Sequence, residues 1–320
     1  MLFNFIDFPQ NTHMKKTSTD NKFAIIYLAY GLESTKYQAI ISIYTLYHHV
    51  GADNKDFLFF IYTDNKTNIF DKYLAGLPVT IEVLTKEQIK SFRGPNDYVF
   101  RIKPCIIKDY FSKNNFNALY MDTDTFFLRN PIDLLNKIEP GVSIMNTQEH
   151  NFIDGGQKEY LHWFALRQAL KQHTYSIQGE QTSIPLSTMM WNAGIIGISH
   201  KNSNLFNDII SLTDEMYSKF STFIVEQFAA SYILQKFTTL QSTEDYINHY
   251  WLKDVKNSFN ERIPIFLKSN NSKSGQSLYG SAFEFAKETS SIFTSYQQPL
   301  LDRITTRLRL IAKVMKQGHI

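Results

Sequence analysis

One cysteine, Cys105, is all the chain has in 320 residues, so no internal disulfide can form and a secreted, disulfide-stapled framework is excluded. A reducing cytoplasm is the compartment this implies. Net charge is equally scarce: 33 basic against 30 acidic residues leave a formal +3, too little for the dense basic face that a phosphate backbone requires. Nucleic acid is therefore not an expected partner. No stretch reaches the roughly 18 to 20 consecutive apolar residues that span a bilayer. The opening residues, MLFNFIDFPQNTHMKKTSTDNK, place Pro9, acids and amides where a signal peptide carries an unbroken apolar core. They read as a flexible leader over residues 1–22. Glycine is also missing at one telling place, because AYGLESTKYQ, just after the first strand-like run, holds only Gly31.

Aromatics are abundant, with 26 Phe and 18 Tyr, and a chain of this length buries a core without staples. KFAIIYLAYG is a dense apolar run closing on Gly31, and STKYQAIISIYTLYHHV follows with apolar residues at helical spacing. DFLFFIYTDN and PVTIEVL repeat the strand signal, PCIIKDYF turns helical, and NALYMD is strand-like again. Strands alternating with helices predict an α/β fold whose mainly parallel central sheet is flanked by helices, each strand close to continuously hydrophobic. Ligands of such sheets sit beyond the carboxyl ends of the strands. Tyr30 with Gly31, Thr63 with Asp64, and Asp122 with Asp124 end three of these strands and are expected to converge on one cleft.

The second half is less regular. Residues 147–187, rich in amides, Gly and His, read as an excursion from the sheet with one amphipathic helix at EYLHWFALRQALK. MMWNAGIIGIS is the next strand, helices are expected at 203–219 and 225–236, and NNSKSGQS is a loop or linker. LLDRITTRLRLIAKVMK then combines an apolar stripe with Arg303, Arg307, Arg309, Lys313 and Lys316. That is the pattern of a helix lying on an anionic bilayer, and equally of a lid or docking helix with a solvated face.

In NALYMDTDTFFLRNP, two aspartates one residue apart end a buried strand, where their repulsion needs compensation. A hard divalent cation supplies it, taking carboxylate oxygens and completing its shell with water and phosphate. The flanking LYM and FFL fix the backbone in packed core, so the acids cannot drift.

LYMDTDTFF resembles the metal-binding D-x-D element of the GT-A fold glycosyltransferases, which move a sugar from a nucleotide diphosphate to an acceptor. FAIIYLAYG, FFIYTDN, WNAGIIGIS and NHYW resemble further elements of that family in the same order, over residues 23–252, closest to its retaining, family-eight-like branch. The resemblance implies that Asp122, Asp124 and His249 hold the metal, with Asp122 also toward the ribose. Imidazole in the set favours Mn²⁺, with Mg²⁺ as the alternative. It implies Tyr30, Gly31 and Asp64 at the base, Arg101 and Lys103 near the diphosphate, and Asn192 and Gly194 beneath the donor sugar. Glu226 and Gln227 fall near the reaction centre.

Each has a plainer reading. His249 is equally a core-edge histidine, Tyr30 a buried aromatic and Asp64 a helix N-cap. For Arg101 and Lys103 a solvated charge is the commoner reading, and Trp191 and Trp251, whose indoles could offer a sugar an apolar face, more commonly pack in the interior.

The implied organisation is a catalytic domain over 23–270, with a nucleotide-binding half at 23–130 and an acceptor-binding half at 131–270, then a helical extension over 271–320. The implied activity is hexosyl transfer from a nucleotide-diphosphate donor, UDP-linked by expectation, to a saccharide or lipid-linked glycan, as in polysaccharide or lipopolysaccharide synthesis. Peripheral contact with the inner face of a membrane through 298–317 would follow from the bilayer reading of the last helix. A sugar-1-phosphate nucleotidylyltransferase would need a glycine-rich phosphate loop at AYGLESTKYQ, and a non-catalytic carbohydrate-binding protein would keep the fold without the metal.

Overall fold

The computed structural model describes residues 22–153 and 161–291. The expected leader, save Lys22, and the basic helix expected at 298–317 lie outside the described residues.

The first half is built as the alternation predicts. β1 (Phe23–Ala29), α1 (Glu33–Val50), β2 (Phe57–Thr63), the short α2 (Ile69–Tyr73), β3 (Val79–Val83), α3 (Lys86–Arg93), α4 (Ile102–Lys113) and β4 (Ala118–Met121) follow in order. β1 pairs in parallel with β2 on one side and with β4 on the other, and β3 adds in parallel to β2. Its unbroken apolar run is explained by burial on both faces. Ala24 and Ile26 enter one core with Tyr62 and Tyr120, while Phe23, Ile25 and Tyr27 enter a second with Phe59 and Leu119. Pleating sends alternate residues to opposite sides.

α1 is buried nearly all round, from Ala39 to Tyr47, because it lies in the second core beneath a later helix. A helix so enclosed shows little amphipathic pattern.

β5 (Thr125–Phe127), α5 (Ile132–Leu135), β6 (Val142–Met145), α6 (Leu161–Gln172) and the small hairpin of β7 (Tyr175–Ile177) with β8 (Glu180–Thr182) come next. β9 (Ile195–Ile198) runs antiparallel to both β4 and β6, and β10 (Thr239–Ser242) pairs in parallel with β6. The sheet order is β10-β6-β9-β4-β1-β2-β3. Between β9 and β10 lie α7 (Leu205–Lys219) and α8 (Val225–Phe237), close to the two helices expected there.

β11 (Ile247–His249) pairs antiparallel with β5, with His249 opposite Thr125. Two helices close the described chain, α9 (Lys253–Ser269) and α10 (Gly275–Ser291). α10 packs on α1 through Tyr279, whose ring stacks on Tyr47 at 5.3 Å between centroids. Thus NNSKSGQS is a loop that ends inside the first turn of a helix belonging to the second core. Among the described residues, no helix is long and apolar enough to cross a membrane.

The chain goes from β1 outward to β3, then returns to place β4 on the other side of β1. This reversal opens a crevice past the carboxyl ends of β1 and β4, where loops leave in opposite directions. Tyr30 and Gly31 end one of these strands and Asp122 ends the other.

Candidate active site

The backbone carrying the acids is fixed before the acids meet anything. Asp122 N donates to Gly194 O at 2.6 Å, and Thr125 Oγ1 donates back to Asp122 O at 2.8 Å. Thr123 Oγ1 reaches Gln38 of α1 at 2.8 Å, and Gln38 in turn donates to Asn260 of α9. Tyr120 OH donates to Asp122 Oδ1 at 2.6 Å, turning Oδ2 toward the crevice. Asp124 is only 5% exposed and receives Lys256 Nζ on Oδ2 at 2.7 Å. Burial alone would raise the pKa of this carboxyl, but His249 and Lys256 outweigh it and hold it well below the ordinary carboxylate range.

β11 brings His249 to the same point. Its Nε2 lies 3.5 Å from Asp124 Oδ1 and 3.9 Å from Asp122 Oδ2. One ligand atom from each of the three residues falls within 4.8 Å of the others.

The His249 ring is held from behind by two amides. Asn192 Oδ1 accepts from Gly194 N at 3.0 Å, and Asn192 Nδ2 donates to Glu149 Oε1 at 3.1 Å, so the amide has one orientation. That oxygen lies 2.9 Å from His249 Nδ1, and Asn146 Nδ2 approaches the same nitrogen at 3.4 Å. The ring's Nε2 faces two carboxylate oxygens. Two carboxylate oxygens and one imidazole nitrogen so placed suit a divalent cation. Gly194 is part of the arrangement, since a Cβ there would overlap Cε1 and Nδ1 of His249.

A second charge cluster adjoins the first. Lys103 Nζ lies 3.6 Å from Asp122 Oδ2 and 3.5 Å from Glu226 Oε2, and donates to Ala193 O at 3.0 Å. Burial pulls the ammonium's pKa down, but Asp122 and Glu226 reverse the direction and raise it. Glu226, at the start of α8, is buried, and its Oε1 has no hydrogen-bond partner. Burial and the Asp122 charge push its carboxyl up to about 7 against the opposing effect of Lys103.

The structure joins most of the predicted residues into one network. Gln227 Nε2 donates to Glu149 Oε2 at 3.0 Å, and Asn192 holds the other oxygen, so both amides orient one exposed carboxylate. At the ends of β1 and β2, Gly31 N donates to Asp64 Oδ2 at 3.1 Å; Gly31 has φ +82°, in the left-handed region open to glycine. Asp64 is no helix cap, because α2 starts only at Ile69 with Asn68 before it. Tyr30 is half-buried against the first core.

Arg101 goes elsewhere. Its guanidinium makes a two-pronged contact with Asp214 at 2.6 and 2.9 Å and reaches the carbonyls of Ser91 and Phe92, so of the two basic residues only Lys103 touches the acids. Gly194 was expected inside a strand, but it sits in the turn before β9, and the strand spans only four residues. Trp191 is buried and Trp251 is 56% exposed. Lys256, Glu149 and Tyr98 were not legible as site residues. Lys256 lies seven positions after His249, one turn into α9, where a surface lysine is the ordinary reading. Nothing in the sequence around Glu149 sets it apart.

No protein-family model matches the chain. No curated protein sequence matches it either. Among solved structures it is similar to galactosyltransferase LgtC in complex with donor and acceptor sugar analogues. The identity is 11%, over 86% of this chain and 98% of that one, with a TM-score of 0.50. Mouse xyloside xylosyltransferase 1 in its apo form gives 11% identity, 69% and 84% coverage and a TM-score of 0.45. The apo-form glycosyltransferase GlyE of Streptococcus pneumoniae TIGR4 gives 13%, 79% and 65%, and 0.42. The likeness to LgtC shows the fold: this chain has the GT-A architecture of glycosyltransferases. Its cluster of Asp122, Asp124 and His249 is suited to a divalent cation.

Proposed function

We propose that this chain is a metal-dependent glycosyltransferase that moves a hexose from a nucleoside-diphosphate donor, a UDP-sugar, to a saccharide or lipid-linked glycan acceptor. The observation that carries the reading is the convergence of Asp122, Asp124 and His249, whose ligand atoms all lie within 4.8 Å of one another. Those three side chains would hold the ion, and the imidazole favours manganese over magnesium. Bound there, the ion would supply Lewis-acid stabilisation of the negative charge that grows on the departing diphosphate.

The rest of the chemistry belongs to the chain. Tyr120 and the turn around Asp122 hold the acids in place at no cost of reorganisation during the reaction. Lys103 stands between Asp122 and Glu226 and adds a fixed positive charge on the side where phosphate charge develops. Asn192, Gln227 and Glu149 form an array of amide and carboxylate groups suited to orienting sugar hydroxyls. The ends of β1 and β2, with Tyr30, Gly31 and Asp64, suit the base of the nucleotide.

Calorimetric titration of UDP with and without Mn²⁺, on the native chain and on Asp124→Ala, tests the reading. Binding that requires Mn²⁺ in the native chain and disappears in the variant is expected. Metal-independent binding, or none, would overturn it. A screen of nucleotide sugars for slow Mn²⁺-dependent hydrolysis then identifies the donor.

A further inference from the structure

Two phenylalanines close to the start of the helix that carries Glu226 are exposed side by side. Phe223 is 53% exposed and Phe100 is 44% exposed, with ring centroids 6.4 Å apart, and Val99 beside them is also exposed. Single exposed apolar residues need no explanation, but a contiguous patch with fixed geometry does. Tyr98 supplies the fixing: its buried hydroxyl donates to Phe223 O at 2.7 Å and accepts from Glu226 N at 3.3 Å, and its ring lies 5.7 Å from Phe100. The imidazole of His162 meets Phe223 edge to face at 4.6 Å and is tied to Thr222 Oγ1 at 3.0 Å. Aromatic faces and polar edges are therefore side by side.

We infer that Phe223 and Phe100 form a stacking platform for a pyranose ring of the acceptor. The assignment rests on the glycosyltransferase reading above and adds the place where that enzyme's second substrate lies. A pyranose presents C–H groups on its faces and hydroxyls at its rim, which complements two aromatic faces flanked by the imidazole of His162. Size excludes a second copy of the chain. Two half-exposed Phe and a Val offer on the order of 200 to 300 Å², against about 800 Å² a side in a stable protein pair. Continuity with the charged cluster selects the acceptor. The platform is tied through the Tyr98 hydroxyl to the backbone N–H of Glu226, whose side chain meets Lys103 and, beyond it, Asp122, so a sugar seated there would adjoin the cluster proposed to act on the donor.

The test is saturation-transfer NMR with methyl β-D-galactopyranoside, methyl β-D-glucopyranoside and lactose as probes, on the full chain with UDP and Mn²⁺ present. Transfer from the protein to ring C–H protons of at least one probe is expected. Phe223→Ala and Phe100→Ala should each weaken it by about fivefold or more, while Phe223→Trp retains it. Calorimetric affinity for UDP with Mn²⁺ should stay within about twofold of native in all three variants, which also reports an intact fold. The platform is overturned if the native chain binds UDP but no probe shows transfer, if both alanine variants match native, or if the patch instead binds phosphatidylglycerol vesicles in a Phe223-dependent way. Failure of the native chain to bind UDP would strike the donor reading alone, and Phe223-dependent saccharide binding would still uphold the platform.

Discussion

Lys256 and His249 divide one carboxylate: the ammonium lies 2.7 Å from Asp124 Oδ2, while the imidazole faces Oδ1 at 3.5 Å. One oxygen is thereby held and the other presented. Removing the ammonium as Lys256→Met leaves a buried acid with less compensation. A loss of about 1 to 2 kcal/mol is expected at neutral pH, reduced from the fully buried case because the lysine is partly exposed. The depressed pKa of Asp124 contributes stability that is present above its unfolded value of about 4 and lost as pH falls below it. Acid unfolding should therefore begin at higher pH in the variant. Thermal melts with and without Mn²⁺ check the arrangement further, since the ion should raise Tm more in Lys256→Met than in the native chain.

Gly194→Ala places a methyl group against the His249 ring, 2.9 Å from Nε2 and closer still to Cε1 and Nδ1. The ring must move, because the obstruction comes from backbone that is itself tied to Asp122 and Asn192. Mn²⁺ affinity should fall by about 10- to 100-fold, the range for disturbed support of a metal ligand. Electron paramagnetic resonance of free Mn²⁺ reads the loss directly, and an unchanged affinity would refute this account of the glycine.

Arg101 and Lys103, two residues apart, should separate into stability and binding. Arg101→Met strands Asp214 and two carbonyls and is expected to cost about 2 to 3 kcal/mol in urea unfolding, with UDP affinity unchanged in the folded fraction. Lys103→Met removes the cation between Asp122 and Glu226 and should weaken UDP binding in the presence of Mn²⁺ by about tenfold or more.

Glu226 provides a pH signature. Its folded carboxyl is raised to about 7, so the folded chain holds a proton that the unfolded chain releases. Its contribution to stability is greatest below about pH 4.5 and is lost progressively as pH rises toward about 7, by on the order of 3 kcal/mol. Glu226→Gln should flatten the curve of unfolding free energy in that window. An identical slope in native and variant chains would show that the carboxyl is not raised.

Much of this was legible because local pattern and fold agree. Continuous apolar runs such as FAIIYLA announce strands buried on both faces, and their alternation with helices announces a parallel sheet. The two aspartates stood out because charge at the end of such a run has few structural uses. What the pattern could not convey was direction. Arg101 and Lys103 are adjacent on one turn, yet only the helix geometry sends one to Asp214 and the other to the acids. Lys256 and Glu149 were hidden for a related reason. Each is an ordinary charged residue, and its meaning comes from α9 packing against the turn at Asp124 and from two distant amides converging on one carboxylate.

The histidine stands on a three-residue strand whose partner is equally short, with His249 opposite Thr125 and Tyr250 N bonded to Asp124 O. Side chains alternate along such a ribbon, so displacement by one position would point the imidazole into the packed interior and offer the acids Asn248 or Tyr250 instead. Lengthening or shortening the Thr243–Tyr246 turn by a single residue would thus leave the seven-stranded sheet standing while erasing its capacity for metal. Tolerance to mutation and retention of chemistry part company at this ribbon.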